Sequence, residues 1–338
     1  MAQSSQQTNG QSNSIQRDGN YWFNDGNLVL IAKNHDVGAC SKGFRIHLGV
    51  LVRHSQVFKR FSEACYQRES HPEEADSTSS DCPFVRVDDS YHDIKALLRV
   101  LYDIPARSPP ETPMPFSEAA ALMRLGHEYE IPAIIPIGVR SLIATFSAKA
   151  VWSWHSVVRE DHFTPVRALS KECIEAANLF RLTDCPGMRI TALYACSAID
   201  TKYLVRGVVR ADGFVEKLPS DDLARCLKLR ECMDARLTDY IIAILTLRPC
   251  LECQQPKACN RCIRQARPLR VFHQKPMRHN TLPRGFGPVF PDWTKNDTLC
   301  KFCRTSLAKR ELAYREDLWH DLPTMLGLPI PKAWQDYP

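Results

Sequence analysis

The sequence predicts an α+β domain, then an all-α domain, then a cysteine-rich basic segment. Three observations predict it. Short β-branched runs lie among apolar-striped helices before residue 147, strand-like alternation is missing from 148 to 248, and six cysteines in C-x-x-C pairs follow residue 249. The chain of 338 residues is long enough for more than one core, because single cores stop growing near ~250–300 residues.

Residues 1–20 are rich in Ser, Gln and Asn, offer almost nothing to bury, and are predicted to form a disordered tail. NLVLIA (27–32), entered through Asp25-Gly26, and GFRIH (43–47) are predicted as a hairpin. In the text from 48 to 66, Val50, Leu51, His54, Val57, Phe58 and Phe61 recur at three- and four-residue steps, which predicts one helix. After a polar, acidic loop (70–81), FVRV (84–87) reads as a third strand. Residues 88–104 read as a helix with Ser90 at its N-cap. Prolines break the pattern over 105–115, and helices resume over 116–131 and 132–147. Residues 171–182 and 187–199 flank the turn TDCPG as a helical hairpin, and 218–248 is one long helix with Ser220 as N-cap. Its predicted apolar stripe is Leu223, Cys226/Leu227, Met233 and Leu237. Near the C-terminus, Trp319, Leu322, Leu326 and Leu328 are predicted to anchor a core.

Charge is unevenly spread. Residues 248–315 hold 15 Lys+Arg against 4 Asp+Glu, a net of +11, and the remaining 29 basic and 34 acidic residues leave −5. No window approaches the ~18 consecutive apolar residues of a membrane span, and the first twenty residues lack an apolar secretion core. These features predict an intracellular protein of cytoplasm or nucleus with no membrane partner. Its fourteen cysteines are then expected to stay reduced, which favours metal binding over disulfides.

Three C-x-x-C pairs are present: Cys250/Cys253, Cys259/Cys262 and Cys300/Cys303. That spacing lets one turn aim two thiolates at one ion, and two pairs complete a tetrahedral shell. Six cysteines exceed one mononuclear site unless two are spare, or unless His273 and His279 finish a second. A catalytic reading has one hook, since Pro249-Cys250-x-x-Cys253 matches half of a zinc-deaminase signature. Its other half, H-x-E, occurs only at His71-Pro72-Glu73 in the distant acidic loop. No GxSxG, Walker A, GxGxxG or HExxH pattern is present, so nothing nominates a nucleophile and the expectation is a non-enzymatic protein. Residues 257–284 hold eight Lys/Arg and no acid, with Arg261, Arg264, Arg267 and Arg270 as candidate nucleic-acid contacts. Pro268, Pro276 and Pro283 argue against a long basic helix, which favours a solvated basic loop docked on the acidic remainder. His47, His54 and His127 sit on apolar faces and are predicted to be hydrogen-bonded core histidines.

DGNLVL, FRIHLGVLVRHSQVFKRFSEA, LLRVLYD and ALMRLGHEYEI, in that order, resemble a BTB/POZ domain, and closely the BTB proteins abundant in mushroom-forming fungi. The resemblance covers residues 21–147. NLFRLTD, LYACS and DGFVEKLPSDDLARCL resemble the helical region (148–248) that follows this domain in those proteins, ahead of the segment 249–338.

The resemblance implies a cluster of helices capped by a short sheet, acting in protein–protein interaction as an adaptor or scaffold. It also implies a homodimer formed through the segment 21–29 and the helix at 48–61. Asp25 and His47 match positions the family usually keeps, and Val50, Leu51, Val57 and Phe58 are assigned to core or dimer packing. Leu48 stands where many relatives carry Lys or Arg, which weakens a charged corepressor pocket. The loop 105–115 lacks the hydrophobic-x-Glu contact of cullin adaptors. For the metal, the family pattern singles out Cys253, Cys259, Cys300 and Cys303 as ligands of one structural zinc ion, with Cys250 and Cys262 as alternates. A ubiquitin-ligase adaptor and a zinc-stabilised transcriptional regulator using 257–284 are the competing functions.

Overall fold

In the computed structural model, the described residues are 15–33, 41–69, 83–103, 114–146, 169–210, 212–271 and 298–335. They are α+β, with small sheets among twelve helices. The chain divides into two compact units, Met1–Ser141 with Ala211–Phe214, and Leu142–Arg210 with Val215–Pro338.

The first unit is built on a four-stranded sheet of order β1-β3-β2-β4. The predicted hairpin is there: β2 (Leu28–Lys33) runs antiparallel to β3 (Lys42–Ile46), with Leu28 opposite Ile46 and Leu30 opposite Phe44. All four of those side chains are buried, as expected for an aliphatic and aromatic face turned onto helices. β4 (Phe84–Ser90) lies parallel to β2 and alternates exposed with half-buried positions, as an edge strand does. β1 (Gln16–Trp22) pairs parallel with β3 and corrects the expected tail at residues 16–20. Residues 1–14 lie outside the described set.

Tertiary contacts, not apolar pattern, hold β1. The buried Asp18 carboxylate accepts from the Asn20 and Tyr21 amides (2.8 and 2.9 Å), Tyr91 Oη (2.5 Å) and Lys95 Nζ (3.0 Å). Burial pushes this carboxyl up, but the Tyr91 hydroxyl, the two amides and Lys95 together outweigh it and hold it lowered to about 2. A folded pKa below the unfolded value contributes stability that is complete above the unfolded pKa and is lost as pH falls through the folded one. Asp18 is therefore expected to contribute about 2 kcal/mol at neutral pH and to lose it between about pH 4 and pH 2. Comparing acid unfolding of the wild type with Asp18→Asn should show that part of the acid slope vanish in the variant.

The single helix expected over 48–66 is two helices, α1 (Leu48–His54) and α2 (Gln56–Glu69). The break falls at Ser55, which is extended (φ −120°, ψ 124°). Its hydroxyl accepts from the Phe58 amide (3.1 Å) and donates to the Tyr129 carbonyl (2.6 Å). A serine that caps one helix at its start interrupts the stripe without changing its spacing, so periodicity alone ran through it. α3 (Tyr91–Tyr102) starts as predicted, with the Ser90 hydroxyl accepting from the Asp93 amide at 3.1 Å. Its Ile94, Leu97 and Leu98 enter the core with Leu51, Phe58, Leu122 and Leu125.

α4 (Phe116–Glu128) is buried along most of its length and meets α5 (Ile135–Phe146) at Gly138. A Cβ at Gly138 would stand 2.6 Å from the Ala119 carbonyl oxygen and 2.5 Å from Met123 Cγ. Gly138→Ala is expected to destabilise by about 1–3 kcal/mol through overpacking, despite alanine's better helix propensity, and urea titration would measure it.

The second unit opens with the predicted hairpin of α6 (Leu169–Leu182) and α7 (Pro186–Ala198). α7 is buried from Ile190 to Ala198. Its C-terminal end is capped from outside: Arg230 donates to the Ser197 carbonyl (2.7 Å), the Ile199 carbonyl (2.5 Å) and Thr201 Oγ1 (2.9 Å). After α8 (Thr201–Arg206), Gly207 turns at φ +86°. The pairs β5 (Val208–Val209) and β6 (Val215–Glu216) then correct the strand-free expectation for 148–248. Two-residue strands are too short for alternation to register.

The long helix is α9 (Ser220–Leu245), with Ser220 as its first residue instead of its cap. Its buried stripe is Cys226, Leu229, Arg230 and Met233: the predicted Cys226 and Met233 are on it, Leu223 is half-buried, Leu227 is exposed, which corrects that position, and the Leu237 side chain lies outside the described residues. Asp222 in its first turn is buried among Arg189 (2.7 Å), Arg225 (3.5 Å) and Arg181 (3.6 Å), so one carboxylate joins α6, α7 and α9. α10 (Pro256–Val271), α11 (Lys301–Met325) and α12 (Lys332–Gln335) complete the unit. The expected anchor forms, with Trp319, Leu322 and Leu326 buried and Leu328 half-buried, and it includes Trp334 stacked on Trp319 at 4.3 Å. No helix among the described residues is long and apolar enough to cross a membrane.

Candidate metal centre

Past α9 the chain turns at Cys250–Cys253, where the Cys253 amide donates to the Cys250 carbonyl (3.1 Å), and enters α10 at Pro256. Proline suits that first position because its missing N–H would have had no helical partner. Cys259 then lies one turn into α10. On the other side, Cys300 is the N-cap of α11 and Cys303 sits in its first turn.

The turn before α10 and the first turns of α10 and α11 thus aim thiols at one point. The sulfurs of Cys253, Cys259, Cys300 and Cys303 all lie within 4.8 Å of one another. Cys253 Sγ and Cys300 Sγ are 3.8 Å apart, which is also the ~3.8 Å tetrahedral edge implied by a zinc–sulfur bond of ~2.3 Å. Amide donors point at the sulfurs: Cys300 N–H to Cys259 Sγ (3.3 Å) and Cys303 N–H to Cys300 Sγ (3.5 Å). Such bonds favour thiolate. The Cys303 amide at the start of α11 is the largest cause lowering the Cys300 thiol to about 6, whereas burial pushes Cys259 and Cys303 up. Leu247, Ile263, Leu299 and Leu307 close around the group. Four soft donors at this spacing fit one tetrahedral ion, and a polynuclear iron–sulfur cluster would hold its cysteines farther apart.

These four are the residues singled out from the sequence. The alternates are placed differently. Cys250 Sγ lies 3.5 Å from Cys303 Sγ, a fifth sulfur beside the group, and Cys262 Sγ accepts from Thr298 Oγ1 at 3.0 Å. His273, His279, His71 and Glu73 lie outside the described residues. Cysteine count alone misleads here, since Cys196, Cys173 and Cys226 gather in the helical core of the same unit. Burial and its two thiol neighbours push the Cys196 thiol well up, the condition of an inert small hydrophobe.

The other candidate residues separate into core and surface. Leu51 and Phe58 are core, Phe58 stacking on Tyr129 at 4.9 Å, while Val57 packs against the core half-buried and Val50 is half-buried. Asp25 and His47 meet, Nε2 to Oδ2 at 3.3 Å, and the His47 hydrogen bond is the first cause holding the Asp25 carboxyl below its usual range. The His47 amide donates to Tyr102 Oη at 3.0 Å, and the same hydroxyl lies 3.3 Å from His47 Nδ1. His54 and His127 are exposed, a correction to their assignment as core histidines. Both fall at helix ends, where a stripe-facing position no longer guarantees cover. Arg261, Arg264, Arg267 and Arg270 fall within α10, so the first part of the basic stretch is helix and not the expected loop. Pro268 is accommodated three residues from the helix's end.

No family model matches the chain, and no curated protein matches it by sequence.

Proposed function

We propose that this chain is a non-enzymatic interaction protein that homodimerises through a BTB/POZ-type first unit and whose helical second unit is closed by one structural zinc ion. The cysteine tetrad carries the reading. Four thiolates fill a tetrahedral shell and leave no open position for water or substrate, so the metal's work is to hold α10 and α11 to the end of α9. Thiolates of this kind belong in a reducing compartment, cytoplasm or nucleus. The first unit's element order, with a hairpin leading into α1 and α2 and the Asp25–His47 pair formed, supports the BTB/POZ part of the reading. Core packing consumes Leu51 and Phe58, and Leu48 packs against the same core, which leaves the half-buried Val50 and Val52 of α1 as the apolar side chains available to a second copy.

Native mass spectrometry tests both halves at once. The expected species is a dimer with one zinc per chain, converted to a zinc-loaded monomer by Val50→Glu. A monomeric wild type removes the pairing, and a metal-free wild type removes the clasp.

A further inference from the structure

α10 is amphipathic about the metal centre. Cys259 and Ile263, one turn apart, face inward with the half-buried Cys262. Lys257, Asn260, Arg261, Arg264 and Gln265, spaced i, i+3, i+4, i+7 and i+8, are all exposed on the opposite side. Lys257, Arg261 and Arg264 form no ion pair among the described residues. The helix holds five Lys/Arg and no acid.

Four thiolates around a divalent ion carry −2, and this offsets only part of the local charge. Residues 248–271 and 298–310 together hold ten Lys/Arg and one acid, so a surplus of +7 remains.

We propose that α10, held in place by the zinc clasp on which this inference rests, docks on duplex DNA through Lys257, Arg261 and Arg264. Sixteen residues make a rod ~24 Å long, and an α-helix fits a major groove ~12 Å wide. Lysine and arginine meet phosphate, and the Asn260 and Gln265 amides on the same face have the donor–acceptor pair that reads adenine edges. A helix lying on an anionic membrane instead needs an apolar face toward the acyl chains, and among the described side chains of α10, residues 256–265, the outward face carries no large apolar residue.

Fluorescence anisotropy of the full chain with a labelled mixed-sequence duplex, from about 50 to about 200 mM salt, tests this. Three phosphate contacts predict a slope of log K against log salt near about −3. The triple variant Lys257→Ala, Arg261→Ala, Arg264→Ala should bind at least about tenfold more weakly and flatten that slope by about 2–3, with zinc content and mass unchanged. Equal affinity in the triple variant overturns the proposal, as does tighter binding to the single strand of the same sequence. Failure to bind duplex at about 50 mM salt also overturns it, whether or not phosphatidylserine vesicles capture the protein. Zinc measured on the same samples separates the two readings. Zinc-loaded protein that ignores DNA sinks only the docking, and metal-free protein that binds DNA through these side chains sinks only the clasp.

Discussion

Cys259→Ser is expected to cost the proposed zinc clasp its metal and to lower the melting temperature of the second unit by roughly 8–16 °C, if about 4 kcal/mol of the metal's binding energy survives as net stability. The substitution is nearly isosteric, so little of that loss comes from packing, although Cys259 is wholly buried. It comes from removing one of four donors. An alcohol does not ionise at neutral pH, and three thiolates leave an open position that water fills, so the site that held α10 against α11 becomes a weaker, exchangeable one. Strong chelators should reproduce the shift in the wild type and leave the variant unmoved. Cys250→Ser and Cys262→Ser sharpen the assignment. Their sulfurs sit beside the tetrad, one near Cys303 and one on Thr298, so both variants should keep one zinc and melt close to the wild type. Calorimetry with metal analysis on the four proteins checks this. Zinc loss in Cys250→Ser together with retention in Cys259→Ser would reassign the shell.

The elements legible in the sequence are those whose signal is local. Ser90 sits before an apolar stripe and caps α3. Trp319, Leu322 and Leu326 recur at helical steps and are buried. The elements that escaped are held by partners far along the chain. β1 has a polar composition, and what orders it is the pairing with β3 and an aspartate whose partners Tyr91 and Lys95 lie 73 and 77 residues away. Ser55 divides α1 from α2 because the Tyr129 carbonyl accepts its hydroxyl across 74 residues. C-x-x-C spacing is itself a local geometry and made the six candidate cysteines legible, but the choice of four among them came from the family resemblance and not from spacing. Spacing did not reveal that α10 would be helical through its basic stretch, since Pro268 comes only in its last turn, after the turns that carry Lys257, Arg261 and Arg264. That placement turned an apparent loop into a presented face.

Asp222→Ala is expected to be the most damaging single change away from the cysteines, at about 3–5 kcal/mol. Asp222 looks from the sequence like a first-turn acid favouring the helix dipole, worth under about 1 kcal/mol at a surface. Its side chain is instead fully buried and stands among guanidinium groups from α6, α7 and α9. Removing it leaves Arg189, only 21% exposed, beside Arg225 and Arg181 with no counter-charge among the described residues, so the like-charged groups must push toward water and separate the helices they belong to. Asp222→Asn keeps the volume and an acceptor for the 2.7 Å contact from Arg189 and loses only the charge. It should therefore fall between the wild type and the alanine variant. Arg181→Ala, whose guanidinium is 3.6 Å away and nearly half exposed, should cost no more than about 1 kcal/mol. That order, Ala below Asn below the Arg181 variant below the wild type in urea midpoint, separates a buried electrostatic hub from a simple helix-start preference. A preference for the helix dipole alone would put Asp222→Ala and Asp222→Asn within about 1 kcal/mol of the wild type.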